Sequence, residues 1–177
     1  MKVVLHICCG VCAAGAAAVL LSEGHGVTGY FYNPNIYPPD EYDRRLAAAH
    51  AAARELGFEM NAGLYDTAGW QLATAGMESE PEGGLRCTAC YRVRLQEAYK
   101  HMLESSADAF TSTLTISPHK NAAVINTIGS EIGGDRFMAR DFKKKDGFKR
   151  AVESARTWQI YRQDYCGCAH SIPPKKT

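Results

Sequence analysis

At 177 residues, with 46% hydrophobic and 22% charged side chains, the chain has the size and composition of one globular domain with a sizeable core, not of a disordered segment. Its formal net charge is +1, so the molecule is not a polycation and any contact with nucleic acid has to come from a local basic patch. The apolar N-terminal run is too short for a secretory signal, and the Ala-rich stretch 11–21 is too short to span a bilayer, so no membrane role and a cytoplasmic location are expected.

Residues 3–7 are an apolar, β-branched run that predicts a first strand, and the Ala-rich segment 11–21 after it predicts a helix. Residues 27–32 predict a second strand, stopped by Asn33, Pro34 and Asn35. A helix over 42–56 follows, with Tyr42, Leu46, Ala49, Ala53 and Leu56 on one face and Gly57 closing it. A less strongly patterned third strand is predicted at 58–64. The stretch 78–85, with Pro81, Gly83 and Gly84, predicts a loop leading into a cysteine pair. Helical spacing returns from Tyr91 through Leu95, Ala98 and Met102. The Thr-rich segment 110–116 predicts another strand, and Ser117-Pro118 predicts a helix start with a cap and a first-turn proline. Residues 137–142 predict a fifth strand, and Ala151, Val152, Ala155 and Trp158 a last helix.

This alternation implies an α/β fold, a parallel sheet with helices on both faces, as a single domain over 1–172 with a flexible tail at 173–177. In open α/β sheets ligands gather beyond the carboxyl ends of the strands, at the switch point. Cys8 and Cys9, just past the first strand, are therefore expected to meet the Ser117 turn at one edge of the sheet.

The seven cysteines fall into three tight groups: Cys8, Cys9 and Cys12; Cys87 and Cys90; Cys166 and Cys168. In a reducing compartment such grouping points to metal or redox work rather than disulfides. Scattered thiols serving as small core hydrophobes would not sort this way. Cys87-x-x-Cys90 at a helix start places thiolates where the helix dipole favours them. By itself that pair is shared by zinc sites, redox dithiols and clusters. Zinc held by four thiolates is the plain alternative, usually built from two C-x2-C pairs, and the other two groups do not have that spacing. An iron–sulfur cluster using four thiols is the favoured reading, with three left for a second metal or for redox catalysis.

Lys143, Lys144, Lys145, Lys149 and Arg150 form one dense basic cluster suited to phosphates, although a solvated loop is the commoner meaning of such a run. His119 and Lys120 fall at a predicted helix start, where phosphate binding and ordinary capping are equally good readings. Arg44, Arg45, Arg92 and Arg94 are candidates to extend the basic surface. Tyr30, Tyr32, Tyr37 and Tyr91 are candidates to stack on unpaired bases, with core packing the plainer role. His6, on a strand, reads as a satisfied core residue.

Six segments, in order from Leu5 to about Ser171, resemble the epoxyqueuosine reductases of the QueH type. They are His6-Ile7-Cys8-Cys9-Gly10-Val11-Cys12, Phe31-Tyr32-Asn33-Pro34-Asn35-Ile36, Arg86-Cys87-x-x-Cys90-Tyr91-x-x-Arg94-Leu95, Ser117-Pro118-His119-Lys120-Asn121, Asp141-Phe142-Lys143-Lys144-Lys145-Asp146-Gly147 and Tyr165-Cys166-Gly167-Cys168. The resemblance implies an adenine-nucleotide alpha-hydrolase-like (Rossmann-like) fold. It implies removal of the epoxide oxygen of epoxyqueuosine in the tRNA anticodon loop, giving queuosine without cobalamin. It also implies a [4Fe–4S] cluster beside an additional mononuclear iron, and an external electron donor. On this reading Cys9, Cys87, Cys90 and Cys168 hold the cluster, and Cys8, Cys12 and Cys166 hold the iron. Cys8, Cys12 and Asp141 are the catalytic candidates, with Asp146 the alternative proton donor. His119, Lys120, Lys143, Lys144 and Lys145 are the tRNA contacts. Two rivals stay open. An ATP-using tRNA-modifying enzyme of this fold would need a Gly/Ser-rich pyrophosphate loop where Cys8 to Cys12 stand. A non-enzymatic iron–sulfur redox sensor would need only the thiols.

Overall fold

Strand β1 (Lys2–His6) is the centre of the molecule: four of its five residues, Val3, Val4, Leu5 and His6, are buried, on both faces of the sheet. In the computed structural model, which describes residues 1–172, β1 pairs in parallel with β2 (Gly26–Phe31) and with β4 (Ala109–Ser112). Strand β2 pairs in parallel with β3 (Glu59–Ala62), so the order is β3-β2-β1-β4. The expected tail at 173–177 lies outside the described residues.

Alternation along β1 sorts the core into two layers. Val3 and Leu5 face a layer with helices α1 (Gly10–Ser22), α2 (Pro39–Leu56) and α6 (Gly147–Thr157), through Ala13, Ala17, Leu20, Ala49 and Ala151. Val4 faces the other layer, filled by Leu95, Ala98 and Met102 of α4 (Leu85–Glu104) and Ile125 and Ile128 of α5 (Ala122–Gly133). Each such fully buried aliphatic chain contributes about 1.5–3 kcal/mol. Small residues let α1 lie directly on α2: a Cβ at Gly10 would stand 2.5 Å from the carbonyl oxygen of Ala48. The parallel sheet covered on both faces is the architecture the alternation predicts.

Helix α2 begins at Pro39, earlier than its apolar face, because proline presets the first turn and Asp40 and Glu41 favour the positive end of the helix. Three expectations are corrected and one helix is added. The segment 110–116 is a strand only to Ser112; Thr113–Ile116 coil into a 3-10 turn, opened by the Ser112 hydroxyl accepting from the Leu114 N–H at 3.1 Å. Ser117-Pro118 does not open a helix. Asn121 is the cap of α5, its Oδ1 taking the N–H groups of Ala123 and Val124, and 117–120 form a turn before it. Residues 137–142 are no fifth strand. Phe137 makes a single parallel bridge to Phe110, then Asn126 draws off the backbone of Arg140 and Phe142 turns into the core. Finally, α3 (Thr67–Ala73) was not anticipated; Asp66 caps it through the Gly69 N–H at 3.0 Å, and Trp70 is its buried residue. Among the described residues no helix is long and apolar enough to cross a membrane.

Candidate metal centre and its cavity

The chain turns back at β1: β2 and β3 lie on one side of it and β4 on the other, so the switch point lies between β1 and β4. Cys8 follows β1 there. Its backbone N–H donates to Thr113 Oγ1 at 3.0 Å, and the Thr113 hydroxyl lies 3.2 Å from Cys8 Sγ. The two distant segments thus meet at one sheet edge, as expected.

Cys9 is the cap of α1, its sulfur accepting the Cys12 N–H at 3.3 Å. One turn of helix then returns Cys12 to the same place, and the sulfurs of Cys8, Cys9 and Cys12 all lie within 4.8 Å of one another. Crowding splits their acidities. Hydrogen bonds from Cys12 and then Cys9 hold the Cys8 thiol well below its ordinary value, while the Cys12 thiol is pushed up by Cys8 and Cys9. Three thiols that share negative charge in this way are a ready set of metal ligands.

The second group stands on α4. Cys87 lies in the first turn, where the Gly83 N–H reaches its sulfur at 3.2 Å, and burial raises its thiol. Cys90 is one turn on, packed with Cys168 and Trp70. Its thiol is also raised by burial, while Arg94, 4.0 Å from its sulfur, pulls the other way.

The third group is held from α2. Arg45, buried, donates to the carbonyl of Cys166 at 2.9 Å and that of Tyr165 at 3.1 Å. The Tyr37 N–H donates to Gly167 O at 2.8 Å.

A cavity of about 330 Å³ opens over these groups, with Cys8, Cys12 and Cys166 in its lining. Val11, Leu114 and Phe148 supply apolar wall; Arg94, Lys120 and Arg162 supply positive charge; Glu82 and Asp164 are its carboxylates. Arg94 is buried with no carboxylate partner among the described residues; it donates to Asn33 Oδ1, and Asn33 in turn donates to Ile7 O at 2.9 Å. Burial opposes the charges of Arg94 and Lys120. The thiols of Cys90, Cys8 and Cys166 outweigh that for Arg94, and Cys166 and Cys8 do so for Lys120, so both are raised.

These features fit an iron–sulfur centre and give little else a purpose. Arg94, buried, and Lys120, half-buried, form no ion pair with a carboxylate among the described residues, so negative charge on the nearby sulfurs would balance them. The buried Nε of Arg94 has no acceptor among the described residues, and the buried N–H of Trp70 bears only on the Cys90 sulfur without making a full hydrogen bond, so donor capacity is left over beside Cys90.

Other candidates are placed elsewhere. His119 and Lys120 line the cavity, but the first amides of α5 are taken by Asn121, so the helix N-terminus does not serve them. Lys143 is half-buried: its ammonium donates to Lys120 O at 3.1 Å and stands 3.6 Å from Asp141. Asp141 is outside the cavity lining, whereas Lys144 and Lys145 are exposed. Arg45 and Arg94 are not surface residues, because the interior supplies their partners; Arg44 and Arg92 are exposed and pair with Asp40 and Glu131. Tyr30, Tyr32 and Tyr91 are buried and only Tyr37 is exposed among the four tyrosines. His6 is a core residue, as expected: burial, then Arg94, lowers its pKa to about 3, and its neutral ring bonds Ser112 Oγ at 2.8 Å and Tyr32 O at 3.1 Å. Sequence reasoning missed Trp70, Glu82, Arg162 and Asp164, none of which sits in a recognisable spacing with the cysteines.

A sequence profile of the family described as epoxyqueuosine reductase QueH matches residues 3–173. The chain belongs to the epoxyqueuosine reductase QueH family. It is 36% identical to the epoxyqueuosine reductase QueH of Streptococcus pyogenes over 183 residues, covering 96% of this chain and 70% of that one. It is also 30% identical to the QueH of Thermotoga maritima, covering 96% and 90%. The chain is therefore an oxidoreductase by family. Its fold is also similar to that of the U34-tRNA thiolase NcsA from Methanococcus maripaludis, solved with its [4Fe-4S] cluster. That likeness has a TM-score of 0.57 at 14% identity and covers 98% of this chain but 62%, less than two thirds, of the thiolase. A predicted tRNA methyltransferase subunit from Methanocaldococcus jannaschii matches with a TM-score of 0.56 at 15% identity. The chain thus shares the fold of these two structures, a parallel sheet with helices on both faces, as expected. After β1 the chain carries Cys8, Cys9 and Cys12, not the Gly/Ser-rich loop that the ATP-using alternative would need.

Proposed function

We propose that this chain reduces the epoxide of epoxyqueuosine in the tRNA anticodon loop to queuosine at the mouth of the thiol-lined cavity, holding a [4Fe–4S] cluster and an additional iron on its seven cysteines. The observation that carries this reading is the convergence of three separate thiol groups on one sheet edge, facing Arg94 and Lys120, which have no carboxylate partner among the described residues. The closeness of their sulfurs favours Cys8, Cys9 and Cys12 as one ligand set and Cys87, Cys90 and Cys168 as another, with Cys166 at the cavity between them, in place of the division with Cys9 on the cluster drawn from the sequence.

Overall, the epoxide takes up two electrons and two protons; both C–O bonds break, an alkene forms and the oxygen departs as water. When bound, the metal centres supply electrons one at a time and a Lewis-acidic position for oxygen. The protein supplies the rest. Val11, Leu114 and Phe148 keep the reacting ring dry. Arg94 and Lys120 hold fixed positive charge against the thiolates and against the negative charge that develops on the departing oxygen. Lys120 is itself steadied by the Asp141–Lys143 pair through its carbonyl, so Asp141 acts as a positioning residue. His119 and Arg162 at the rim suit the phosphates flanking a splayed-out nucleotide. An external one-electron donor completes the cycle, and the reducing cytoplasm that seven free thiols demand is where we place it.

The test is turnover by anaerobically prepared, reduced protein. Epoxyqueuosine-tRNA should become queuosine-tRNA with neither cobalamin nor ATP, and the protein should contain iron and acid-labile sulfide. Colourless protein with stoichiometric zinc would overturn the metal assignment, and a strict ATP requirement the reaction class. Cys9→Ser decides the division of ligands: loss of iron with full sulfide groups Cys9 with Cys8 and Cys12, whereas parallel loss of both groups it with Cys87, Cys90 and Cys168.

A further inference from the structure

Helix α3 has seven residues and buries one of them, Trp70, which is 7% exposed. Its indole packs against Cys90 and Cys168, so a short helix outside the layered core delivers a single large side chain to the thiols. The indole N–H is fully enclosed and makes no full hydrogen bond among the described residues; the Cys90 sulfur is the acceptor it bears on. A buried donor left unpaired costs about 1–3 kcal/mol, and tryptophan donors in protein interiors usually find an acceptor. A purely apolar plug would be made more cheaply by phenylalanine or leucine. A neutral thiol is a poor acceptor and a metal-bound thiolate a good one. Cys90 already faces Arg94 at 4.0 Å, so two donors from different helices converge on one sulfur.

We propose that the Trp70 indole N–H donates to the metal-bound sulfur of Cys90 and holds the iron–sulfur centre at a higher reduction potential than it would otherwise have. This rests on the reading of the site given above. Reduction adds negative charge to a centre whose sulfurs share it, so a hydrogen bond to sulfur favours the reduced form. Trp70 is a positioning residue in this account: it touches a ligand of the centre and not the substrate.

The experiment compares fully reconstituted wild-type protein with Trp70→Phe, which keeps an aromatic body and removes the N–H. Both are titrated spectroelectrochemically under argon, with iron and sulfide determined in the same samples. The expected result is a potential shifted to more negative values in Trp70→Phe. Loading should also quench the emission of wild-type protein more strongly, because Trp158, the only other tryptophan, is all that remains in the variant. If Trp70→Phe loads incompletely, its loaded fraction is titrated in the same way, since a midpoint does not depend on occupancy. Equal potentials in the two loaded proteins would overturn this inference alone. Wild-type protein that takes up neither iron nor sulfide would overturn the reading of the site and this inference with it.

Discussion

Arg45 is 2% exposed, and almost everything it does is done for the Cys166–Cys168 segment, more than a hundred residues away in sequence. Its Nε pairs with Glu41 at 2.7 Å, its other nitrogens hold the carbonyls of Tyr165 and Cys166, and its guanidinium lies 4.9 Å from the centre of the Tyr165 ring. Glu41 is itself buried and accepts from the Tyr161 hydroxyl at 2.9 Å. Removing one member of such a pair leaves the other charge buried, so Arg45→Ala should destabilise the metal-free protein by about 3–5 kcal/mol in urea unfolding. The double variant Arg45→Met, Glu41→Gln should regain most of that stability, because no unpaired charge is left. It should still release iron to a chelator faster than wild type, since the carbonyls of the third thiol group have lost their donors. Equal release rates would limit Arg45 to stability. None of this is legible in sequence. Glu41 and Arg45, four apart on a helix, have the spacing of an ordinary exposed pair, and only the tertiary partner determines that they are inside. The cysteines were legible because thiol chemistry is scarce and theirs is grouped.

At the scale of elements, the strands and long helices followed from apolar periodicity, and the misplaced boundaries share one cause. Each was settled by a polar side chain binding the backbone: Ser112 at the 3-10 turn, Asn121 at α5, Asn126 at Arg140 and Asp66 at α3. Such bonds leave no periodic trace in a sequence. The Lys143–Gly147 turn shows how tightly one of these junctions is drawn. Lys145 and Asp146 both adopt left-handed backbone, at φ 54 and 59, and a Cβ on Gly147 would lie 1.8 Å from the Phe142 carbonyl oxygen. Backbone cannot yield as a flexible side chain does. Gly147→Ala should therefore lower stability by about 1–3 kcal/mol, measured by urea unfolding, and should disturb α6 and with it Phe148 on the cavity wall. A substitution at Gly24, where φ is 80 but the space around it is open, should cost only the strain of the left-handed backbone. If Gly147→Ala proves as stable as wild type, the close approach is not maintained in solution.

For the molecule as a whole, a net charge of +1 leaves no general attraction for tRNA, so binding has to depend on where the cations sit. The basic run read from the sequence as one unit separates in three dimensions into two kinds of lysine. Lys143 is turned inward, tied to Asp141 and to the backbone of Lys120, whereas Lys144, Lys145 and Lys149 are exposed beyond it. Exposed lysines that contact phosphates release counterions on binding, and each lost contact should reduce the slope of log affinity against log salt by about 0.7–0.9. Replacing Lys144, Lys145 and Lys149 by Ala should therefore weaken tRNA binding and flatten its salt dependence, by up to three such steps, with iron, sulfide and the apparent rate at saturating tRNA unchanged. Lys143→Ala should behave differently. It removes the support of the Lys120 loop, which lines the cavity, so it should lower the rate at saturating tRNA while leaving the salt slope within one step of wild type. Equilibrium binding from 50 to 200 mM salt, read beside single-turnover rates, separates the two classes. A Lys143→Ala variant that lost only salt-dependent affinity would make it one more phosphate contact, and an unaltered slope in the triple variant would make that face a plain solvated loop.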